Sequence, residues 1–314
     1  MRSRPFGRCG FEVSELSLGT WGLSGDGYGP VCEEDVDRTI ERALELGITL
    51  FETADVYGQG EMERKLGQRL ADVEGTRIVT KIGTSSDESP PCKRFDAASL
   101  GVAFDRSRER IGREVLDVVL LHCPTVAALQ AGSGEALLRE KKEAGELAAW
   151  GVSAGTPEVA AVAIERGVEV LEMAYNVFIG QDVHQLTDRL QEAGIALLAR
   201  SVLAHGLLVG HWRADQFFLD ADHRSKRWTE ETLGYRLDQL DAIRSLVGGA
   251  TPSLMSAAVR FVLANGQVSS AVLGPLRVDQ LSEVVAQAGE GPPYLDAEAF
   301  AELPRRLAAV GIEG

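Results

Sequence analysis

The chain has 314 residues, 45% of them hydrophobic, enough to bury a large core, and a formal net charge of −15. Such an acidic surface argues against nucleic acid and anionic membranes as partners, because like charges repel. No apolar run reaches the length of a membrane span, the basic residues in 1–6 precede no apolar signal core, and the four cysteines, Cys9, Cys32, Cys92 and Cys123, lack metal-ligand spacing, so a cytoplasmic protein with reduced thiols is predicted.

Residues 5–15 read as a short hairpin turning at Cys9-Gly10. A strand follows over 16–20, and Trp21 leads into a loop. The glycine-rich stretch 25–30 lacks the lysine and the spacing of a phosphate-binding loop. From Glu33 onward Val36, Ile40, Ala43 and Leu44 share one helical face, and Gly47 supplies a stop. An apolar strand over 48–54 comes next. The same unit recurs: helix 60–72 and strand 77–83, a loop rich in Ser and Pro over 84–95, helix 96–112 and strand 116–122, helix 134–144 and strand 148–153. Thr156-Pro157-Glu158 opens a helix that ends near Arg166. Strand 169–176, helix 181–193 closed by Gly194, and strand 195–201 follow. The polar stretch 211–235 shows no clean periodicity and reads as an extended loop, before helices 236–247 and 252–264, strand 270–274 and a final helix over 278–288.

That count gives about eight strand–helix units whose strands alternate little, the pattern of a buried parallel sheet. The expectation is an α/β protein, a single (β/α)8 TIM barrel over 1–314 with an N-terminal β-hairpin. In such a barrel the site lies on the loops after the strands' C-terminal ends. Glu52, Lys81, His122, Ser153, Glu172 and Arg200 stand at such ends, and Tyr57 follows Glu52 by five residues. A phenol has a pKa of about 10, a nearby ammonium lowers it, a carboxylate holds the lysine charged, and an imidazole donates to a substrate oxygen. Together they would protonate a carbonyl oxygen while a cofactor delivers hydride to its carbon.

Simpler readings stand beside these. His122 precedes a proline and would also serve as a satisfied core histidine. Cys123 should alternate away from His122, which disfavours a nucleophile. Trp21 is either a pocket wall or a barrel cap, and His205 and His211 read as loop residues rather than ligands. No His/Cys/Asp set has metal spacing.

Several segments carry a resemblance nearly end to end. They are Leu18-Gly19-Thr20-Trp21-Gly22, Ala54-Asp55-Val56-Tyr57-Gly58, Val79-Thr80-Lys81, Leu120-Leu121-His122-Cys123-Pro124, Gly151-Val152-Ser153, Tyr175-Asn176, and Ser201-Val202-Leu203-Ala204-His205-Gly206-Leu207-Leu208, with Gly274, Gln280 and Glu283. In this order they resemble the aldo-keto reductases. The resemblance implies NADPH-dependent reduction of an aldehyde, ketone or sugar carbonyl, with a small-molecule carbonyl or alcohol as substrate. It makes Tyr57 the general acid, Lys81 its activator, His122 the substrate-orienting group and Glu52 the family's acid. It assigns Gly19, Thr20, Trp21, Ser153, Glu172 and Arg200 to the cofactor around the nicotinamide end. It puts pyrophosphate near Ser201, Leu203 and Gly206, and the adenosine phosphate near Gly274, Leu276, Arg277, Gln280 and Glu283.

The chain departs from the family's pattern at particular places. Glu52 replaces aspartate, Ala154 asparagine, Glu172 glutamine, Arg200 an aromatic residue and Val284 asparagine. Leu276 replaces a basic residue and leaves Arg277 as the cation for a 2′-phosphate, so NADP(H) is expected over NAD(H). Glu172 and Arg200 are expected to form an ion pair, because an unpaired buried charge is costly. Glu52 is expected to contact Lys81, and Lys81 to reach the Tyr57 hydroxyl. Two other readings fit the same residues: a dehydratase or epimerase that keeps the acid–base quartet, and a non-catalytic nucleotide-sensing subunit.

Overall fold

The structure, a computed structural model, describes residues 1–85 and 92–312. Part of the loop expected over 84–95 therefore lies outside the described residues.

Strands β1 (Ser3–Pro5) and β2 (Glu12–Ser14) pair antiparallel as the expected hairpin. Then come β3 (Leu16–Gly19), α1 (Glu33–Glu45), β4 (Leu50–Glu52), α2 (Glu61–Arg69) and β5 (Arg77–Ile82). A two-residue ribbon, β6 (Thr84–Ser85) with β7 (Cys92–Lys93), precedes α3 (Ala97–Ile111) and β8 (Leu116–His122). Helices α4 (Val126–Ala131) and α5 (Ser133–Glu143) lead to β9 (Leu147–Ser153), and α6 (Pro157–Glu165) to β10 (Val170–Ala174). Helices α7 (Gln181–His184) and α8 (Thr187–Ala193) lead to β11 (Ala196–Arg200). The chain ends with α9 (Arg224–Arg227), α10 (Glu230–Arg244), α11 (Leu254–Ala264), β12 (Val268–Leu273), α12 (Val278–Ala288) and α13 (Ala297–Ala309). Eight parallel strands close in the order β10-β11-β12-β3-β4-β5-β8-β9.

Local signals set the helix ends. Three acids, Glu33, Glu34 and Asp35, fill the first turn of α1, where the helix dipole favours negative charge. The Asp96 side chain accepts the Ser99 N–H at the start of α3, and Gly112 takes the left-handed turn, φ 69°, at its end.

Four elements differ from expectation. The strand over 48–54 shortens to β4, because after Glu52 the backbone turns toward Tyr57. The helix over 181–193 divides into α7 and α8. The loop over 211–235 is shorter than read: a capping box at Thr229 starts α10 at Glu230, six residues earlier than the sparse apolar pattern indicates. Helix α13 hides in the sequence because Pro304 sits in its interior, where proline ordinarily argues against helix.

The barrel interior is a packed core. Leu50, Val79, Val118, Leu120, Ala149, Val170, Ala196 and Leu198 point inward, and Phe6 and Val13 of the hairpin join them at the N-terminal mouth. A larger shell of buried residues lies between barrel and helices. Because side chains alternate along a strand, the inward positions next above this core are Glu52, Lys81, His122, Ser153, Glu172 and Arg200. The fold thus plugs one mouth with apolar groups and lines the other with titratable ones.

Candidate active site

At the open mouth lies a cavity of about 1200 Å³. Its lining includes Glu52, Tyr57, Lys81, His122, Ser153, Glu172 and Arg200, so the strand-end residues singled out from sequence meet on one floor. Gly19, Trp21, Ser201, Leu203, Gly206, Gly274, Leu276, Arg277, Gln280 and Glu283 also line it. Thr20 does not: it is fully buried beneath the floor, and its N–H donates to the Glu52 carbonyl at 2.9 Å.

Backbone pairing delivers the quartet. β4 and β5 are in register at Glu52 and Val79, two residues before Lys81. The Asp55 N–H donates to the Lys81 carbonyl at 3.0 Å, which carries the chain past β5 and turns it toward Tyr57. Gly58 and Gln59, with φ 57° and 56°, finish that turn, and the Asp26 carboxylate accepts the Gly58 N–H at 2.7 Å. Glycine tolerates this backbone and glutamine does so at a cost.

Lys81 is the hub. Its side chain is 2% exposed, and its ammonium contacts the Glu52 carboxylate, donates to the Thr53 carbonyl at 3.1 Å and stands 3.8 Å from Glu172 Oε1. It also sits 5.0 Å from the centre of the Tyr57 ring. The expected Glu52–Lys81 contact is present. The expected reach to the phenol oxygen is not: Lys81 faces the ring, and no hydrogen bond joins the two among the described residues. Burial lowers the Lys81 pKa to about 8 against the opposing pull of Glu172. Gly19 makes room for the longer acid, since a Cβ there would stand 2.9 Å from Glu52 Oε2.

Tyr57 differs from the sequence expectation. Its phenol pKa rises rather than falls, through burial first and the Glu172 charge second. Arg200, not Lys81, is the cation that opposes the rise. Lys81 already has Glu52 as partner, so its field at the phenol is largely matched. Tyr57 is therefore held as the protonated phenol. The His122 ring meets the Tyr57 ring edge-on, with centroids 6.1 Å apart. Burial and the cations Lys81, Lys93 and Arg200 keep the imidazole neutral, with a pKa well below its ordinary value. Its Nδ1 is buried without a hydrogen-bond partner.

The expected Glu172–Arg200 ion pair does not form. Strand register sets Glu172 opposite Leu198, whereas Arg200 lies opposite Ala174, one inward position higher. The Arg200 guanidinium instead donates to the Ala154 carbonyl at 3.1 Å and to Ser201 Oγ at 3.4 Å. Glu172 has no exposed surface, and neither carboxylate oxygen has a hydrogen-bond partner.

Several other residues meet at the mouth. Cys123 lines the cavity beside His122, because φ 50° breaks strand alternation immediately after β8. His205 and His211, read as loop residues, also line it, and burial with Arg227 drives the His205 pKa down to about 3. Trp21 is a wall of the cavity, packed on His223 and Tyr28 at centroid distances of 4.7 and 5.3 Å. Lys93 donates to the His122 carbonyl at 2.7 Å. At the far end Arg277 is engaged by Asp279 through bonds of 3.0 and 3.1 Å. No cluster that would hold a metal ion occurs among the described residues, and no helix among them is long and apolar enough to cross a membrane.

A closed parallel barrel with titratable groups gathered at its C-terminal mouth is the architecture of an enzyme. The family model described as "Aldo/keto reductase family" matches residues 15–303, and the chain belongs to that family of oxidoreductases. It is similar to aldo-keto reductase YhdN of Bacillus subtilis (strain 168), 27% identical over 88% of this chain and 86% of that one. It is also similar to the NADH-specific methylglyoxal reductase of Escherichia coli (strain K12), 24% identical over 98% and 99%. Among solved structures, the glycerol dehydrogenase AKR11B4 from Gluconobacter oxydans superposes with a TM-score of 0.84, 25% identity and coverage of 98% and 96%.

Proposed function

We propose that the protein, working as one barrel domain over 1–314, reduces the carbonyl of a small aldehyde, ketone or sugar with a nicotinamide dinucleotide, and that Tyr57 is the proton donor. The observation that carries this reading is the floor itself. A protonated Tyr57 and a neutral His122 face one cavity, above a Lys81 fixed by Glu52. The relatives named for methylglyoxal and glycerol support a small carbonyl or alcohol as substrate.

The residues present fit the nucleotide. The cavity of about 1200 Å³ exceeds the range of about 300–1,000 Å³ usual for one small ligand, which leaves room for a dinucleotide and a substrate. The orphaned Glu172 carboxylate supplies an acceptor where the nicotinamide end would lie. Ser153, Glu172 and Arg200 would hold that end, Ser201, Leu203 and Gly206 the pyrophosphate, and the Gly274–Glu283 side the adenosine. When bound, the nucleotide supplies the hydride.

The chain's own residues do the rest. His122 would receive the carbonyl oxygen and orient it toward Tyr57. Tyr57 would give that oxygen its proton as negative charge develops. Lys81, fixed by Glu52, lies against the ring that loses the proton, and Arg200 is the cation whose charge favours that loss. NADP(H) is the proposed form over NAD(H), with Arg277 as the cation for the 2′-phosphate, and Asp279 competes with that phosphate for Arg277.

Tyr57→Phe tests the assignment. It keeps the ring and deletes the proton. Turnover should fall by about 10²–10⁴-fold while nucleotide affinity stays within about threefold. An active phenylalanine variant would place the proton donor elsewhere.

A further inference from the structure

Glu172 stands out among the buried charges of the floor. It has no exposed surface, both its oxygens lack hydrogen bonds, and it lines the cavity. Its nearest counter-charge, Lys81 at 3.8 Å, is already in contact with Glu52. Two carboxylates thus share one ammonium, while Arg200 is turned to Ala154 and Ser201. An ionised carboxylate left this way is costly unless something completes it. Its oxygens only accept, so what completes it is a donor or a cation.

We propose that Glu172 selects the redox state of the nicotinamide, favouring the cationic oxidised ring over the neutral reduced one. The inference rests on the nucleotide-binding reading above. A reduced ring offers Glu172 at most its carboxamide N–H, whereas an oxidised ring adds a full positive charge. At the effective dielectric of such sites that charge is worth roughly tenfold or more in affinity. Linkage then fixes the consequence: a site that binds the oxidised form more tightly makes the bound reduced form a stronger hydride donor.

The charges balance in that direction. The carbonyl carbon gains a hydride, with its two electrons, from the reduced nucleotide, and the carbonyl oxygen gains the Tyr57 proton. The product is the alcohol, and the positive charge left on the nucleotide would face Glu172. The same carboxylate helps to hold Tyr57 protonated beforehand, so both its effects favour carbonyl reduction.

The test is equilibrium binding, read by calorimetry with NADP+ and NADPH, and with NAD+ and NADH in parallel, on wild type, Glu172→Gln and Glu172→Asp. Wild type should bind the oxidised form more tightly than the reduced. Glu172→Gln should cut that preference about tenfold, chiefly by weakening the oxidised form, which raises the potential of the bound couple by about 30 mV. Glu172→Asp should retain the preference. An unchanged preference in Glu172→Gln, or equal weakening of both forms, overturns the proposal and leaves the nucleotide-binding reading intact. Should Glu172→Gln fail to fold, a wild type that binds the reduced form as tightly or more tightly overturns it as well. Wild type that takes neither form overturns both readings.

Discussion

Asp55 shows what a single buried charge does to this site. It lies two residues before Tyr57, is 8% exposed, and has one carboxylate oxygen without a partner. Burial, with the Glu63 charge second, raises its pKa to about 8. In the unfolded chain an aspartate titrates near 3.9. Between those values the native state binds more protons than the unfolded one, so the carboxyl's contribution to stability is present at acid pH and lost as pH rises toward 8. Asp55→Asn removes the titration. Its melting temperature relative to wild type should therefore climb from pH 4 to about pH 8 and level off above it; a constant difference from pH 4 to pH 9 would mean that Asp55 is not titrating there. The sequence showed such residues in part. Glu52, Tyr57, Lys81 and His122 were legible because their types and strand-end positions imply a chemistry. The Lys81 orientation over the Tyr57 ring and the separation of Glu172 from Arg200 were not, because both depend on register and rotamer rather than on residue type.

At the scale of elements, close approach of helices fixes where the strand ends point. Gly67 on α2 packs against the end of α3, and a Cβ there would stand 2.7 Å from the Ile111 carbonyl carbon. Alanine in a helix interior ordinarily gains about 1 kcal/mol over glycine. Overpacking against fixed backbone costs about 1–3 kcal/mol, so the clash should win. Gly67→Ala should lower the melting temperature by a few degrees, and a variant as stable as wild type would show that α2 shifts freely. The periodic elements were readable from sequence because apolar residues recur at strand and helix spacing. Helix α10 escaped at its start because few of its early residues are buried, and α13 escaped because of Pro304. For Trp21 a wall was one of two readings, but its partners Tyr28 and His223 escaped, since they join loops far apart in sequence through an isolated bridge between Tyr28 and Asp222.

Across the whole molecule the barrel divides labour along its axis. Phe6 and Val13 close one mouth with apolar packing, and the cavity opens at the other. The eight-unit count was legible because parallel strands buried on both faces leave near-continuous apolar runs. The substrate was not, because the loops that shape the outer cavity follow no period. The mouth is proposed to bind a nicotinamide dinucleotide and to use it for reduction. Titration of the purified protein with NADPH and with NADH, followed by nucleotide fluorescence, tests it most directly. A saturable change with one nucleotide per chain, reversed by the oxidised form, is the predicted result. No change in fluorescence or melting temperature with either nucleotide at millimolar concentration would contradict it, and would turn the acid–base floor toward a dehydratase or epimerase.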